Sequence, residues 1–313
     1  MPWTARILAV SALLLAGTAV PASAASPIDL TSGFYVNPSS APASWVASHS
    51  SDSRASKITA SIASKPIAKW FGNDANIGTS VASYVSAADS HDMLPVLVAY
   101  NLPGRDACGG ESGGGAGSLG AYKTWISSFA AGVGTHPAVV VIEPDALGDF
   151  DCMSSSQIAD RNTMLTYAVQ MFQQKAPNTY AYLDGGNAGW VAASTMASRL
   201  KAAGVADARG FSVNVSNFYT TGQSISYADS VNSGLGGGAK YVIDTSRNAN
   251  GSDGTWCNPA GRRLGVTAQV GGGAEMLLWV KTPGVSDGQC GIAPTVPAGT
   301  FSPDLAVRLI DGT

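Results

Sequence analysis

The sequence predicts an α/β fold, a distorted and incomplete parallel β/α barrel of about seven strands. An uninterrupted apolar run, Val139 to Ile142, is typical of a strand that is buried on both faces. An aspartate follows soon after this run and after two other apolar runs, 96–100 and 180–183. These aspartates, Asp106, Asp145 and Asp184, are 39 residues apart. That spacing fits one strand, one loop and one helix, so the three carboxylates should meet at the carboxyl edge of one sheet.

The remaining elements follow in order along the chain. Residues 26–53 are rich in Ser, Pro and Ala, and we expect an irregular segment packed on the domain. The predicted strands are 68–71, 96–100, 139–142, 180–183, 210–215, 241–244 and 276–281. The predicted helices are 58–62, 77–90, 121–131, 155–175, 191–203 and 303–310, and a glycine-serine loop covers 109–120. Alternating strands and helices predict a parallel barrel or an open doubly wound sheet, and seven strands favour an incomplete barrel.

The first 24 residues have the pattern of a signal peptide. Arg6 supplies a positive charge, Ile7 to Ala19 is apolar, and Ala22 to Ala24 is a small-residue cleavage site. We therefore expect a secreted, extracellular protein in which residues 25–313 form one catalytic domain. No later apolar run approaches the roughly 20 residues that span a bilayer.

Four cysteines follow the signal peptide. In an exported chain this number predicts two disulfides, although four cysteines allow three pairings. We favour Cys108 with Cys152 and Cys257 with Cys290, because each pair would join neighbouring loops at the active edge. A metal site is not expected, because the chain lacks a CxxC motif and its three histidines lie far apart.

Charge excludes some classes of partner. Charged residues make up 12% of the chain and the net charge is −3, so there is no basic field for nucleic acid. We expect no membrane partner either. The many Gly, Ser, Thr, Asn and aromatic residues suit a neutral, hydroxyl-rich partner such as a polysaccharide.

Several aspartates at one edge indicate acid and base catalysis by carboxylates. Hydrolysis of a glycosidic bond needs one protonated carboxyl and one ionised carboxylate, and crowding of like charges raises the pKa of the most buried member. The alternative is that Asp145 only caps the next helix. Two bare patterns occur in the glycine-serine loop, GESGG at 110–114 (GxSxG) and GAGSLG at 115–120 (GxGxxG), but neither directly follows a predicted strand. The chain has no phosphate-loop motif either, so we expect no cofactor.

Six motifs, in order, carry a resemblance to a known family. They are YNLPGRD at 100–106, IEPD at 142–145, LDGGNAGW at 183–190, DTSRNANG at 244–251, WCNP at 256–259 and WVKTPGVSDG at 279–288. With these motifs the chain resembles glycoside hydrolase family 6, the inverting cellulases, from about residue 34 to the C-terminus. The resemblance implies a distorted seven-stranded β/α barrel that hydrolyses β-1,4-glucan with inversion at the anomeric carbon.

The resemblance also implies roles for individual residues. Asp145 matches the general acid, and Asp106 matches the aspartate that holds the acid's proton and positions water. Asp287 matches the candidate base, which acts directly or through a chain of waters. Expected substrate-binding residues are Trp70, Tyr100, Asp184, Trp190, Asn217, Trp256 and Lys281, with Arg247 near the site and Ser112 as a water ligand.

The other tryptophans have a structural explanation. We assign Trp45, Trp125 and Trp279 to core packing, although Trp279 lies within a predicted strand of the barrel. The sequence also departs from the family pattern in three places. Asn187 stands where histidine is common, Val285 stands where glutamate is common, and an additional alanine separates Asp106 from Cys108.

Short loops beside the site predict an open groove. The Cys257–Cys290 bridge would end three residues after Asp287, and the segment 188–196 is also short. We therefore expect an endo-acting enzyme, a monomer whose partner is a β-1,4-glucan. The alternatives are a cellobiohydrolase of the same family and a glucan-binding protein without turnover.

Overall fold

The fold is taken from a computed structural model that describes Met1 and residues 26–313. Apart from Met1, the predicted signal peptide lies outside the described residues. Eight strands form a single curled sheet. They are β1 (Lys69–Phe71), β2 (Val96–Ala99), β3 (Ala138–Ile142), β4 (Thr179–Asp184), β5 (Gly210–Val213), β6 (Lys240–Asp244), β7 (Gln269–Val270) and β8 (Met276–Leu278).

The sheet runs in the order β1-β2-β3-β4-β5-β6-β8-β7. Seven strands, β1 to β6 and β8, pair in parallel, and the two-residue β7 pairs antiparallel to β8. No strand ladder among the described residues closes β8 onto β1. A backbone hydrogen bond of 2.9 Å from the Ala68 N–H to the Trp279 carbonyl spans this gap. The predicted incomplete, seven-stranded parallel barrel is therefore confirmed, and β7 is an addition to it.

Helices cover the outer face of the sheet. They are α1 (Ala41–Ser48), α2 (Ala55–Ile58), α3 (Ile77–Asp89), α4 (Leu119–Val133), α5 (Ser155–Lys175), α6 (Ala193–Ala202), α7 (Thr221–Leu235) and α8 (Pro303–Asp311), with a π-helical turn (Thr59–Ala63) after α2. The predicted boundaries of α5 agree with the structure, because Ser154 and Gln157 form a capping box at its start. None of the helices within residues 26–313 is both long enough and apolar enough to cross a membrane.

Alternate residues of the strands supply two hydrophobic clusters. Val139 and Val141 of β3 point into the barrel, where they pack with Val98, Val242 and other strand residues. Val140 points outward to the layer of helices. Both faces of β3 are thus buried, as its continuous apolar run predicts.

Two helices were missed by the sequence analysis. The segment 26–53, expected to be irregular, contains α1, which the Ser40 hydroxyl caps by accepting the Ala43 N–H. The second, α7, has many serines but buries Ser224, Tyr227, Ala228 and Val231, the spacing of one helical face. It provides the crossover that the parallel strands β5 and β6 require.

The connection from β6 to β8 differs from the others. Residues 245–275 contain β7 but no helix. Instead of covering the sheet, this segment carries Trp256 and Cys257 to the carboxyl edge, where the site lies.

Candidate active site

Buried carboxylates at the carboxyl edge organise the site. Glu143, directly after β3, accepts the backbone N–H groups of Asn101 and Leu102 after β2 at 2.8–3.0 Å. Asp184, at the end of β4, accepts the Asp145 N–H after β3 at 3.0 Å. Each carboxylate therefore holds the segment that follows the neighbouring strand.

Asp244 repeats this arrangement at the end of β6. Its Oδ2 accepts the N–H groups of Ser216 after β5 at 3.0 Å and of Lys281 after β8 at 2.9 Å. These bonds satisfy a buried carboxylate and fix two cavity-lining residues at once. Asp145 and Ser216 have positive φ angles of 70° and 56°. Such strained backbone persists because the surrounding hydrogen bonds hold it.

One cavity of about 390 Å³ lies above this layer. It brings together the three predicted catalytic aspartates and all but one of the predicted substrate-binding residues. The predicted residues that line it are Trp70, Tyr100, Asp106, Ser112, Asp145, Trp190, Asn217, Trp256, Lys281 and Asp287.

Asp184 is the exception, and its expected contact with substrate is not supported. The residue is 2% exposed and does not line the cavity. Besides the N–H of Asp145, its carboxylate accepts the Gly186 N–H at 3.2 Å and the Ser212 hydroxyl at 3.0 Å. Asp184 therefore lies beneath the cavity and supports Asp145, because its hydrogen bonds occupy both oxygens.

Asp145 has the environment of a proton donor. Burial, followed by the like charges of Asp184, Asp149 and Asp106, raises its pKa well above the usual range, and Lys281 opposes the shift only in part. The raised pKa favours the protonated form of this carboxyl, which is the form that can donate a proton. The next helix, α5, is capped by Ser154, so helix capping does not explain Asp145.

Asp287 has the opposite environment. Its carboxylate forms ion pairs with Arg247 at 2.8 Å and Lys281 at 2.9 Å. It also accepts the Asn258 N–H at 3.2 Å, while its own N–H donates to the Asn258 side chain at 3.0 Å. Burial alone would raise its pKa, but the two cations outweigh burial and the net pKa is lowered. Asp287 is therefore ionised.

Asp106 lies on the loop after β2. Its Oδ2 accepts the Ser112 N–H at 2.6 Å, which closes a tight turn of the loop. Gly109 packs so closely that a Cβ there would lie 2.5 Å from the Asp106 Oδ1. The loop therefore fixes the carboxylate on one side, while the cavity lies on the other.

Aromatic side chains line the cavity. Trp70 donates its indole N–H to the Val280 carbonyl at 2.8 Å and meets Tyr100 edge to face at 5.2 Å. Trp190 and Trp256 are 39% and 49% exposed. Indole rings held open to solvent suit the apolar face of a sugar.

The tryptophans assigned to packing are indeed structural. Trp125 and Trp279 are buried in the core, and Trp45 is half-buried against the cluster around α8. The structure also forms the expected disulfides, Cys108–Cys152 and Cys257–Cys290. Each joins a loop that lines the cavity to a neighbouring loop.

The departures from the family pattern lie in different places. Asn187 lines the cavity, and its Oδ1 accepts the Gly189 N–H at 3.0 Å. Val285 lies in an adjoining depression of about 610 Å³ that shares Trp70 and Lys281 with the cavity.

Three acidic residues of the site were missed from the sequence. Glu143 and Asp244 directly follow or end strands, and that position could have indicated their role. Asp149 also lines the cavity. Nothing in the sequence distinguishes it from Asp151, two residues later. Within residues 26–313, no group of three or more His, Cys, Asp or Glu side chains is arranged to hold a metal ion.

Comparison with known proteins identifies the class of protein that combines this fold and site. The model of the family described as glycosyl hydrolases family 6 matches residues 30–313. The chain therefore belongs to glycosyl hydrolases family 6, and it is a glycoside hydrolase.

Particular relatives are named as endoglucanases. Endoglucanase 1 from Streptomyces halstedii is 51% identical over 310 residues, which cover 97% of both chains. Endoglucanase A from Thermobispora bispora is 42% identical over 89% of this chain, which spans only 62% of that protein. Among solved structures, the endoglucanase Cel6 from Mycobacterium tuberculosis, in complex with methyl-cellobiosyl-4-deoxy-4-thio-β-D-cellobioside, has a TM-score of 0.84 and 38% identity. The match covers 92% of this chain and 99% of that one.

Proposed function

We propose that the protein is an endo-β-1,4-glucanase that cleaves internal bonds of cellulose-type glucan with inversion. One observation carries this proposal: a single cavity, lined by the exposed Trp190 and Trp256, combines Asp145, whose raised pKa favours the protonated carboxyl, with the ionised Asp287. These are the two charge states that glycoside hydrolysis requires.

In the proposed reaction, Asp145 donates its proton to the glycosidic oxygen as the bond from that oxygen to the anomeric carbon breaks. Water attacks the anomeric carbon from the opposite face and gives up a proton. Asp106 positions this water and supports the protonated state of Asp145. The proton that the water gives up passes to the ionised Asp287, directly or through a chain of waters, and the lowered pKa of Asp287 makes it a weak base for that transfer.

Sugar recognition is assigned to the cavity walls. Trp70, Trp190 and Trp256 offer stacking surfaces, and Tyr100 lies between Trp70 and the catalytic aspartates. Lys281 and Asn217 offer polar contacts, although the Lys281 ammonium also pairs with Asp287 at 2.9 Å. The thio-linked cello-oligosaccharide bound by the Mycobacterium tuberculosis enzyme supports a β-1,4-glucan as substrate.

The shape of the site favours attack within a chain. Trp190 and Trp256 are open to solvent, and the depression beyond Trp70 allows a glucan to continue past the cavity. One hydrogen bond, from the Gln289 N–H to the Glu111 carboxylate, joins the loop after Asp287 to the glycine-serine loop at 3.4 Å. A single bond of that length is weak, so it is compatible with a groove that a chain enters from the side.

Viscosity measured against reducing sugar on carboxymethyl cellulose tests the endo proposal. We expect a steep loss of viscosity per bond cut, because internal cuts shorten chains quickly. The Asp145→Asn variant gives the background loss of viscosity and the background release of reducing sugar. A slow loss of viscosity per bond cut, with cellobiose as the main early product, would instead identify a cellobiohydrolase.

Export and domain organisation are also part of the proposal. The pattern of residues 1–24 supports secretion, with residues 25–313 as one monomeric catalytic domain. N-terminal sequencing of the protein from the culture medium should start near Ala25 or Ser26. Light scattering of the same sample should give the mass of one chain. A retained leader or a larger particle would contradict these points.

A further inference from the structure

Asp149 is an acidic residue of the cavity to which the reaction described above gives no role. It begins the short 3₁₀ turn Asp149–Cys152 and is 2% exposed. It lines the same cavity as Asp145 and Asp106. Burial raises the pKa of Asp149 itself, while the Ala107 N–H and the nearby Arg161 lower it. In its ionised form, Asp149 opposes loss of the proton from Asp145 through its charge.

Two links fix Asp149 to the loop that carries Asp106. Its Oδ2 accepts the N–H of Ala107, the residue after Asp106, at 2.8 Å. One residue further on, Cys108 forms the disulfide with Cys152 at the end of the turn. The carboxylate therefore cannot swing away from the cavity without moving the loop.

The charge of Asp149 is not neutralised by an ion pair. Arg161 of α5 is the nearby cation, but its guanidinium donates to the carbonyls of Ala146 at 3.1 Å and Gly104 at 2.7 Å. No cation in the part of the chain that the structure describes lies within ion-pair distance of Asp149. Asp287, in contrast, is paired with two cations.

The charged groups around Asp145 come from four sides. Asp184 lies beneath it, Asp149 approaches from the turn, Asp106 from the loop after β2, and Lys281 from the end of β8. The three acids raise the pKa of Asp145, and Lys281 lowers it.

We propose that Asp149 is a positioning residue for the reaction: its buried, unpaired carboxylate keeps the proton on Asp145 and anchors the loop of Asp106. This inference rests on the proposed role of Asp145 as general acid. It adds Asp149 to Asp106, the aspartate that the family resemblance implies as the support of the general acid.

The test is the pH profile of kcat/KM for Asp149→Asn on cellotetraose. Asparagine keeps an acceptor for the Ala107 N–H but removes the charge, so the alkaline limb should move to lower pH by about 1 unit. Asp151→Asn is the matched control, because Asp151 lies in the same turn but its side chain is exposed and paired with Arg199. An unchanged alkaline limb in Asp149→Asn, or an equal shift in Asp151→Asn, would overturn the proposal.

A second measurement does not depend on turnover. The ¹³C chemical shift of the Asp145 carboxyl, followed by NMR titration, should report a lower pKa in Asp149→Asn and also in Asp149→Ser. Titration of Asp145 at the same pH in the wild type and both variants would contradict the inference. A wild-type protein that fails to cleave cellotetraose would instead count against the proposed function.

Discussion

Asp145 and Asp287 are aspartates of one cavity, yet their surroundings move their pKa values in opposite directions. Burial and three acidic neighbours raise the pKa of Asp145. Arg247 and Lys281 overcome burial and lower the pKa of Asp287. The proposed division of labour between a proton donor and an ionised carboxylate is thus set by neighbouring charges and not by residue type.

Replacing Asp145 with asparagine should remove the proton donor and leave the cavity intact. We expect kcat on cellotetraose to fall by about 10²- to 10⁴-fold, with binding of the oligosaccharide retained. A dinitrophenyl cellobioside, whose leaving group needs no proton, should lose much less. Stopped assays with both substrates and calorimetric binding test this expectation. Unchanged turnover of cellotetraose would refute the acid role.

Gly109 should matter because of its distance from Asp106. A Cβ at this position would lie 2.5 Å from the Asp106 Oδ1, so Gly109→Ala should displace the carboxylate. We expect kcat to fall by about 10- to 100-fold, because a small misplacement of a catalytic group lowers the rate by such a factor.

Gly117→Ala in the same loop is the control, because a Cβ there has no heavy atom within 4 Å. Steady-state kinetics should separate the two variants, while their melting temperatures stay close to that of the wild type. Equal activity of both variants would show that the position of Asp106 tolerates the shift.

At the level of elements, the ends of neighbouring strands hold one another. Glu143 after β3, Asp184 on β4 and Asp244 on β6 each accept backbone N–H groups from the segments after adjacent strands. The loops that carry Asp106, Asp145 and Lys281 are therefore anchored at their base. Two disulfides, Cys108–Cys152 and Cys257–Cys290, connect loops at points further from the sheet than these anchors.

The Cys257–Cys290 bridge closes a segment that contains β8 and the approach to Asp287. Replacing both cysteines with serine should lower the free energy of unfolding by about 2–4 kcal/mol. We also expect kcat to fall, because Asn258, next to Cys257, exchanges two hydrogen bonds with Asp287 at 3.2 and 3.0 Å.

Thermal melting and kinetics well below the melting temperature distinguish these effects. A lower melting temperature with unchanged kcat at low temperature would mean that the bridge stabilises the fold without positioning Asp287.

Helices and strands with a strong apolar pattern were predicted from the sequence, and those with a weak pattern were missed. The apolar strands and the regularly spaced faces of α3, α4 and α5 were visible in the sequence. Helix α7 was not, because its serines and glycines hide a buried face of four residues. The edge strand β7 is two residues long and exposed, so it has no apolar pattern to detect.

At the scale of the whole molecule, the incomplete barrel places the cavity-lining residues at one edge. The seven parallel strands end on the same side, so residues far apart in sequence line one cavity. Recurring aspartates and family motifs were enough to predict most of this site. They could not predict that Asp184 lies beneath the cavity or that Asp149 lines it, because burial depends on how the turns after the strands pack.

The stereochemistry of the first product tests the central claim most directly. If Asp145 donates a proton while water attacks the opposite face of the sugar, ¹H NMR of cellotetraose cleavage should show the α-anomer first, followed by slow mutarotation. The Asp145→Asn variant should give no signal on the same timescale. Initial formation of the β-anomer would contradict the proposed inverting reaction.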